Sequence, residues 1–336
     1  MKAALLKVLK VAVPLAIGAW LVYYNYHQLS GDQRRQLFDA FRQADPIWLV
    51  VATFIGWSSH VSRGWRWHYL LDPLGQRTGF WSRYHAVMIG YFMNLFIQRA
   101  GEVSRAATIY RTDGVPFEKA FGTILAERAV DMVMMLAIAG LTLALQFERM
   151  DALTARVLAF REGQAKEESG PWFWVVVIAV VLAMIAAAYL LLTRPALRAR
   201  LMDLVRGFGQ GLKAVLTTRH KGLFLLHTLF IWACYFLMFW LGFFALPATA
   251  DVPLAGVLAG FIAGAVGIIL VQGGIGVYPV FVALIVSIYM APTEGGGNMH
   301  PEALAMGWLL WVLQTAMIVV LGGLSLLLAR RKVPAA

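Results

Sequence analysis

Long apolar stretches constrain the fold of this chain more than any motif does. A helix needs about 20 apolar residues to cross about 30 Å of hydrocarbon. With 60% hydrophobic and only 14% charged residues, the composition differs from that of soluble domains, in which about 25% of residues are charged. We therefore predict an all-α polytopic integral membrane bundle, a single membrane domain over residues 1–336. Its candidate crossings are residues 11–26, 47–62, 120–147, 172–193, 222–246 and 303–328.

The first apolar stretch follows three lysines, as in a secretory signal peptide. No small-x-small cleavage site follows it before Tyr23 and Tyr24, so we predict a retained membrane anchor.

Two further apolar stretches fit a simple crossing badly. Residues 85–97 are too few to span as a helix, and residues 254–291 are interrupted by glycines and a proline. Cytoplasmic loops near membrane segments carry the excess of lysine and arginine. With both termini in the cytoplasm, most of the 29 such residues, Arg63 and Arg66 among them, fall on the cytoplasmic side only if these stretches are re-entrant. We therefore predict one hairpin over 85–119 entering from the cytoplasm and one over 254–291 entering from outside.

Oppositely inserted hairpins in two halves are typical of inverted-repeat transporters with a binding site near the bilayer midplane. The halves would be residues 1–147 and 172–336, joined by a polar outer loop at 148–171. Residues 200–219 alternate apolar and basic positions at helical spacing, which predicts an amphipathic helix on the cytoplasmic membrane surface. No residue-level repeat supports the symmetry, and a plain bundle with two extra crossings stays an alternative.

A charged cluster opens one apolar stretch, with Glu127, Arg128 and Asp131 on one side of the predicted helix. Charges are costly at membrane depth, so we expect the cluster near the cytoplasmic end of the helix or facing protein and water. The three side chains can pair with each other. They form either a substrate or ion site or a paired cluster that orients the helix.

A polar stripe precedes that cluster. Asn94, Gln98, Glu102 and Arg105 would share one face of a continuous helix, with Arg99 at the expected bend. Arginine presents a planar set of donors that suits phosphate, and the start of a half-helix favours an anion. We expect Arg99 and Arg105 to contact a phosphate. Alternatively, both arginines simply mark the membrane interface.

A second candidate segment contains Gln272, Gly273, Gly274 and Gly276, followed by Tyr278. Three glycines and the adjacent proline indicate a broken backbone. The segment is not a P-loop, which requires a lysine followed by serine or threonine after a strand. It is either a broken segment that faces substrate or a structural hairpin tip.

Glycines recur at positions 256, 260, 264 and 267, and so form one face of a predicted helix. Small residues at this spacing allow close helix packing in lipid, which we expect here, with a flexible gate as the alternative.

Signs of catalysis are weak. The histidines are scattered, without metal-binding spacing beside carboxylates, and Cys234 is the only cysteine. No G-x-S-x-G elbow occurs. We therefore expect no catalytic residues, no metal, no cofactor and no nucleic acid partner.

The region from Asn94 to Asp131 resembles the flippase-like family named for the transmembrane region of lysylphosphatidylglycerol synthases. The resemblance is carried by Arg99-Ala100-Gly101-Glu102, Arg105 and Glu127-Arg128-Ala129-Val130-Asp131. The stretch Gln272-Gly273-Gly274-Ile275-Gly276 is similar to the glycine motif in the second half of that family. With the hydropathy pattern, the resemblance covers nearly the whole chain.

The resemblance implies a membrane domain of the kind that moves aminoacylated phospholipid between leaflets while a separate soluble domain attaches the amino acid. No stretch of this sequence matches that soluble domain, so we expect no lysyl transfer. Pro279 stands where many relatives carry a carboxylate. If relatives use that carboxylate in transport, this chain must use another, such as Glu102 or Asp131.

Our leading hypothesis is a lipid transporter of the bacterial inner membrane that moves a phosphate-containing headgroup. Its partners would be membrane lipids, either anionic phospholipid or polyprenyl-phosphate-linked lipid, and the oligomeric state stays open. Glu102, Glu127 and Asp131 would balance the arginines or contact a cationic headgroup. The alternatives are a membrane enzyme with Glu102 or Asp131 as general base, or a scaffold for envelope partners.

Overall fold

A computed structural model provides the fold of the chain. It describes residues 29–97, 99–147, 215–290 and 299–329, most of 16–27, and isolated positions between 154 and 213. The predicted outer loop, apart from Thr154, and half of the predicted amphipathic helix at 200–219 lie outside the described residues. The same holds for Gln98, for part of the first apolar stretch and for nearly all of 172–193.

The described residues form helices and no strands, which confirms the predicted all-α bundle. The helices are α1 Gly31–Gln43, α2 Pro46–Leu71, α3 Phe80–Phe96, α4 Ala100–Asp113, α5 Phe117–Phe147, α6 Lys221–Phe243, α7 Pro247–Ala250, α8 Leu254–Leu270, α9 Val277–Ser287 and α10 Pro301–Leu328. Short 3-10 turns occupy Asp72–Leu74 and Gln272–Gly274.

Three of these helices, α5, α6 and α10, are long and apolar enough to cross a membrane. They expose large apolar side chains such as Leu136, Leu229 and Leu327, as helices in contact with lipid do. Helix α2 has 26 residues, but Arg63 and Arg66 interrupt its apolar character. The chain is therefore a helical membrane protein, and α2 carries charge into its interior.

Helix ends follow the local sequence. Ser30 begins α1 with a capping box, in which its hydroxyl accepts from the backbone N–H of Gln33 and the Gln33 side chain accepts from the N–H of Ser30. Asp45 caps α2 by accepting from the N–H of Ile47 at 2.8 Å, and Pro46 supplies the first helical residue.

Helices α3 and α4 form a pair joined by a tight break. Arg99 at this break has φ of 65°, the only positive φ of a non-glycine residue in the described part of the chain. Gly90 of α3 lies against Gly101 of α4, where a Cβ on Gly101 would collide with the Gly90 carbonyl oxygen. Asn94 accepts a hydrogen bond from the N–H of Gly101 at 2.7 Å and so satisfies one free donor at the start of α4.

Helices α8 and α9 form a second pair around the glycine-rich segment. Gly273, Gly274 and Gly276 all have positive φ, which explains why glycine occupies these positions. The glycine face of α8 lies against α9, and a Cβ on Gly264 would approach the Tyr278 ring to 2.7 Å. The structure thus confirms the predicted close packing. With 17 and 11 residues, both helices are shorter than the about 20 that a crossing requires.

The two helix breaks contact each other. The Gln272 side chain donates a hydrogen bond to the carbonyl oxygen of Leu95 at 3.0 Å. Trp311 of α10 donates to the carbonyl oxygen of Gly273 at 2.7 Å. The broken backbone of the second pair is therefore held against the end of α3.

We expect Gly264→Ala to destabilise the protein by about 1–3 kcal/mol, because overpacking forces the Tyr278 ring to move. Gly323→Ala is the matched control, since no atom lies within 4 Å of the new Cβ. Unfolding in detergent measures both. Equal stability of the two variants would contradict the packing.

At the first break, we expect Arg99→Gly to be more stable than Arg99→Ala by about 1 kcal/mol. Both variants remove the charged side chain, and only alanine retains the strain of a left-handed backbone. Denaturant unfolding of both variants measures the difference. An alanine variant as stable as the glycine variant would show that the turn is not left-handed.

Candidate functional site

Four charged side chains face each other between α2 and α5. Arg63 and Arg66 are three residues apart on α2, and Glu127 and Asp131 are four apart on α5. Side chains at these spacings lie on one face of a helix. All four are buried, and Arg66 and Glu127 are fully enclosed.

Asp131 is held by two arginines. Its carboxylate accepts from Arg63 at 2.8 Å and from two nitrogens of Arg66 at 2.9 and 3.3 Å. The contact with Arg66 is bidentate, the strongest geometry for an arginine and a carboxylate. Asp131 therefore joins α5 firmly to α2.

Glu127 connects the same two helices to α4. It accepts from Arg105 at 2.5 Å and lies 3.5 Å from the Nε of Arg66. The sequence suggested that Glu127, Arg128 and Asp131 pair among themselves. In the structure, Glu127 and Asp131 pair with arginines of neighbouring helices, because the face that the carboxylates share is turned toward α2 and α4.

Helix α6 completes this charge network. Arg66 donates to the Thr228 hydroxyl at 3.0 Å, and Arg63 donates to the Tyr235 hydroxyl at 3.2 Å. The Tyr235 hydroxyl is in turn 3.0 Å from that of Tyr91 on α3. The guanidinium groups thus have polar partners on several helices.

The guanidinium carbon of Arg105 lies over an aromatic ring. It is 3.8 Å from the centre of the Trp67 ring, and Trp67 donates to the Thr123 hydroxyl at 2.8 Å. Nη1 binds Glu127, whereas Nε and Nη2 are buried without a hydrogen-bond partner among the described residues. Arg105 therefore has donor capacity that the described part of the protein does not use.

A small cavity of about 10 Å³ lies beside Arg105, large enough for about one water molecule. Its polar lining comes from α2, α3, α4 and α5. The polar side chains are Arg63, Tyr91, Asn94, Glu102, Arg105 and Arg128. Glu102 and Arg128 form an ion pair of 3.1 Å and are partly exposed, with 19% and 42% of their side chains accessible.

The charges of this region do not balance. The arginines at 63, 66, 105 and 128 supply four positive charges, and Glu102, Glu127 and Asp131 supply three negative charges. The network, including the partly exposed pair, therefore carries one excess positive charge. An excess positive charge in a low-dielectric interior favours the binding of an anion.

The structure brings together some of the predicted site residues. Asn94, Glu102, Arg105 and Arg128 line the cavity, and Glu127 and Asp131 lie behind its arginines. Arg99 is exposed at the break and does not line the cavity, so the structure does not bring it together with Arg105 at one site.

The second predicted segment lies elsewhere. Gln272, Gly273, Gly274, Gly276 and Tyr278 belong to the second break and do not line the cavity. They approach the first helix pair through the bond between Gln272 and Leu95.

Sequence reasoning placed Arg63 and Arg66 in a cytoplasmic segment and did not include them in the site. The available signal was their spacing of three in a helix that starts as an apolar crossing. Two arginines on one buried helix face require carboxylate partners, and Glu127 and Asp131 offered the matching spacing.

The fold and the cavity define a helical integral membrane protein with a buried, positively charged site. The sequence profile described as the lysylphosphatidylglycerol synthase TM region matches residues 11–300. The chain belongs to this family, which links it to membrane lipids. No curated protein and no solved structure matches the chain.

We expect Asp131→Asn to destabilise the protein by about 3–5 kcal/mol, because it removes the counter-charge of buried Arg63 and leaves buried Arg66 with only the longer contact to Glu127. Asp32→Asn is the control, since Asp32 pairs with Arg35 on the exposed surface of α1 and little change is expected. Thermal unfolding in detergent tests both. If the Asp131→Asn variant unfolded at the same temperature as the wild type, a structural role for the network would be contradicted.

Proposed function

We propose that this protein moves a phosphate-containing lipid headgroup between the leaflets of a bacterial inner membrane, with both termini in the cytoplasm. The observation that carries the proposal is the arginine-lined cavity beside the first helix pair, inside a membrane protein of a lipid-linked family. Membrane interiors exclude charged headgroups. A protein that shields the headgroup while the tails stay in lipid lowers that barrier.

In this proposal, the pairs α3–α4 and α8–α9 are re-entrant hairpins. Their helices have 17, 14, 17 and 11 residues, each fewer than a crossing requires. Broken backbone at membrane depth is tolerated where it is enclosed in protein. The contact between the two breaks, through Gln272 and Leu95, supports tips that meet inside the membrane.

Phosphate would bind at the arginines that line the cavity. Arg63 and Arg105 are fixed in place by Asp131 and Glu127, so they offer positive charge without having to be reoriented. Glu102 and Arg128 form the more exposed side of the cavity. Their ion pair can open more easily than the buried pairs because water reaches both partners.

A headgroup requires a wider cavity than the structure shows, since about 10 Å³ holds about one water molecule. The cavity would therefore widen on the side of Glu102 and Arg128, where the ion pair is partly exposed, while Arg105 keeps its bond to Glu127. The second break contains three glycines with positive φ and contacts the end of α3. We propose that this segment supplies the moving part.

We expect Glu102→Ala to slow the movement of a fluorescent phospholipid about tenfold or more in reconstituted vesicles. The variant leaves Arg128 without its partner and so disturbs the charge balance of the cavity. Glu118→Ala is the matched control, because Glu118 is exposed in the first turn of α5 and does not line the cavity. Movement is measured by chemical quenching of the label in the outer leaflet.

Undiminished movement in the Glu102 variant would contradict the proposed site. The same vesicles distinguish transport from catalysis through mass spectrometry of the lipids. A transporter leaves the lipids unchanged, whereas a new lipid species formed by the pure protein would favour an enzyme.

A further inference from the structure

We infer that the unused edge of Arg105 is a bidentate binding site for the phosphodiester of a net anionic lipid headgroup, and that the surrounding charge disfavours headgroups bearing an ammonium group. This inference rests on the proposed function. It names the residue that would grip the phosphate and the charge class of lipid that the site takes.

The first argument is the geometry of the guanidinium group. Glu127 binds Nη1, and the guanidinium carbon lies 3.8 Å from the centre of the Trp67 ring. The other two nitrogens, Nε and Nη2, have no hydrogen-bond partner among the described residues. They share one edge of the planar group, and their N–H bonds point in nearly the same direction. Two oxygens of a phosphate can accept from that edge at once.

The second argument is burial. Only 6% of the Arg105 side chain is exposed, and both free nitrogens are inaccessible to bulk water. A buried donor without a partner is unfavourable, and such groups mark either an ordered water or a ligand site. Because Arg105 lines the cavity, a ligand there would supply the missing acceptors.

The third argument is that the edge is already fixed in position. Trp67, which supports the guanidinium face, is itself held by Thr123. The backbone that carries Arg105 lies against α3 through Gly90, where a Cβ would come 3.4 Å from the Cβ of Arg105. A site fixed before binding loses little conformational entropy when the ligand arrives.

The fourth argument is charge. The network has one positive charge in excess, which a phosphodiester with one negative charge balances. An ammonium group would need its own carboxylate. Glu102 is the only carboxylate lining the cavity among the described residues, and Arg128 already pairs with it at 3.1 Å. Lysyl-phosphatidylglycerol, whose two ammonium groups and one phosphodiester give a net charge of plus one, would increase the excess.

The test measures lipid binding directly, by native mass spectrometry of the full chain in detergent micelles. The probes are phosphatidylglycerol, phosphatidylethanolamine and lysyl-phosphatidylglycerol with identical acyl chains, and inorganic phosphate as competitor. We expect phosphatidylglycerol to bind about tenfold more tightly than lysyl-phosphatidylglycerol, with phosphatidylethanolamine between them.

Two variants test the guanidinium edge of Arg105 and the excess positive charge independently. Arg105→Lys keeps the positive charge but lacks the planar edge, and we expect it to weaken phosphatidylglycerol binding about tenfold. Arg111→Lys is the matched control at the exposed end of the same helix, with less than about a twofold change expected. Arg128→Gln removes the excess charge at a partly exposed position, and the preference for phosphatidylglycerol should fall below about threefold.

Several results would overturn the inference. Tighter binding of lysyl-phosphatidylglycerol than of phosphatidylglycerol contradicts the charge argument, and unchanged binding in Arg105→Lys contradicts the edge. Binding of inorganic phosphate without binding of phosphatidylglycerol overturns the assignment to a headgroup. Displacement of phosphatidylglycerol by inorganic phosphate in the wild type but not in Arg105→Lys supports the shared oxyanion edge.

Failure of transport would look different. Phosphatidylglycerol that binds as expected but does not move in vesicles contradicts the proposed function and leaves the Arg105 site intact. Lipid movement that is unaffected by Arg105→Lys contradicts the Arg105 site and leaves the proposed transport function intact.

Discussion

Burial of Arg63, Arg66, Glu127 and Asp131 between α2 and α5 is the constraint on which the rest of the structure depends. Charged groups can stay buried in a protein interior only if they are paired, so the helices that carry them must remain in one relative position. Arg105 extends the requirement to α4, and Thr228 and Tyr235 extend it to α6. Close packing of apolar side chains alone would leave these helices freer to slide.

The same network creates the candidate site. Asp131 accepts hydrogen bonds from both arginines of α2, whereas Glu127 accepts only one from Arg105. Asp131 and Glu127 thus mainly hold the helices together, whereas one guanidinium edge of Arg105, a residue that lines the cavity, has no acceptor among the described residues and one positive charge is in excess. A site built in this way would keep its shape while the less buried pair of Glu102 and Arg128 separates. In our proposal, stability and binding therefore come from the same side chains.

Much of the fold could be predicted from the sequence. Hydropathy predicts the helical membrane class, and the glycines around 273 predict the break because few other residues adopt positive φ. The glycine face of α8 predicts close packing, which the contact between Gly264 and the Tyr278 ring confirms. A bend at Arg99 was expected in the polar stripe, although a left-handed arginine was not.

The composition of the site was harder to predict. The charge bias of membrane loops predicts that Arg63 and Arg66 lie in the cytoplasm. Only their packing against Glu127 and Asp131 shows that they are buried in the protein. Spacing alone also treats Arg99 and Arg105 as equivalent, yet one is exposed and the other is buried on Trp67. Burial depends on which helices pack together, which periodicity within one helix does not reveal.

The most direct test of the central claim is a high-resolution map of the protein in a phosphatidylglycerol-containing bilayer. Our account predicts phosphate density within hydrogen-bond distance of Nε and Nη2 of Arg105, with both helix breaks inside the hydrocarbon layer. Arg105 in contact with a protein acceptor at that edge, or helix breaks lying outside the membrane, would contradict the account.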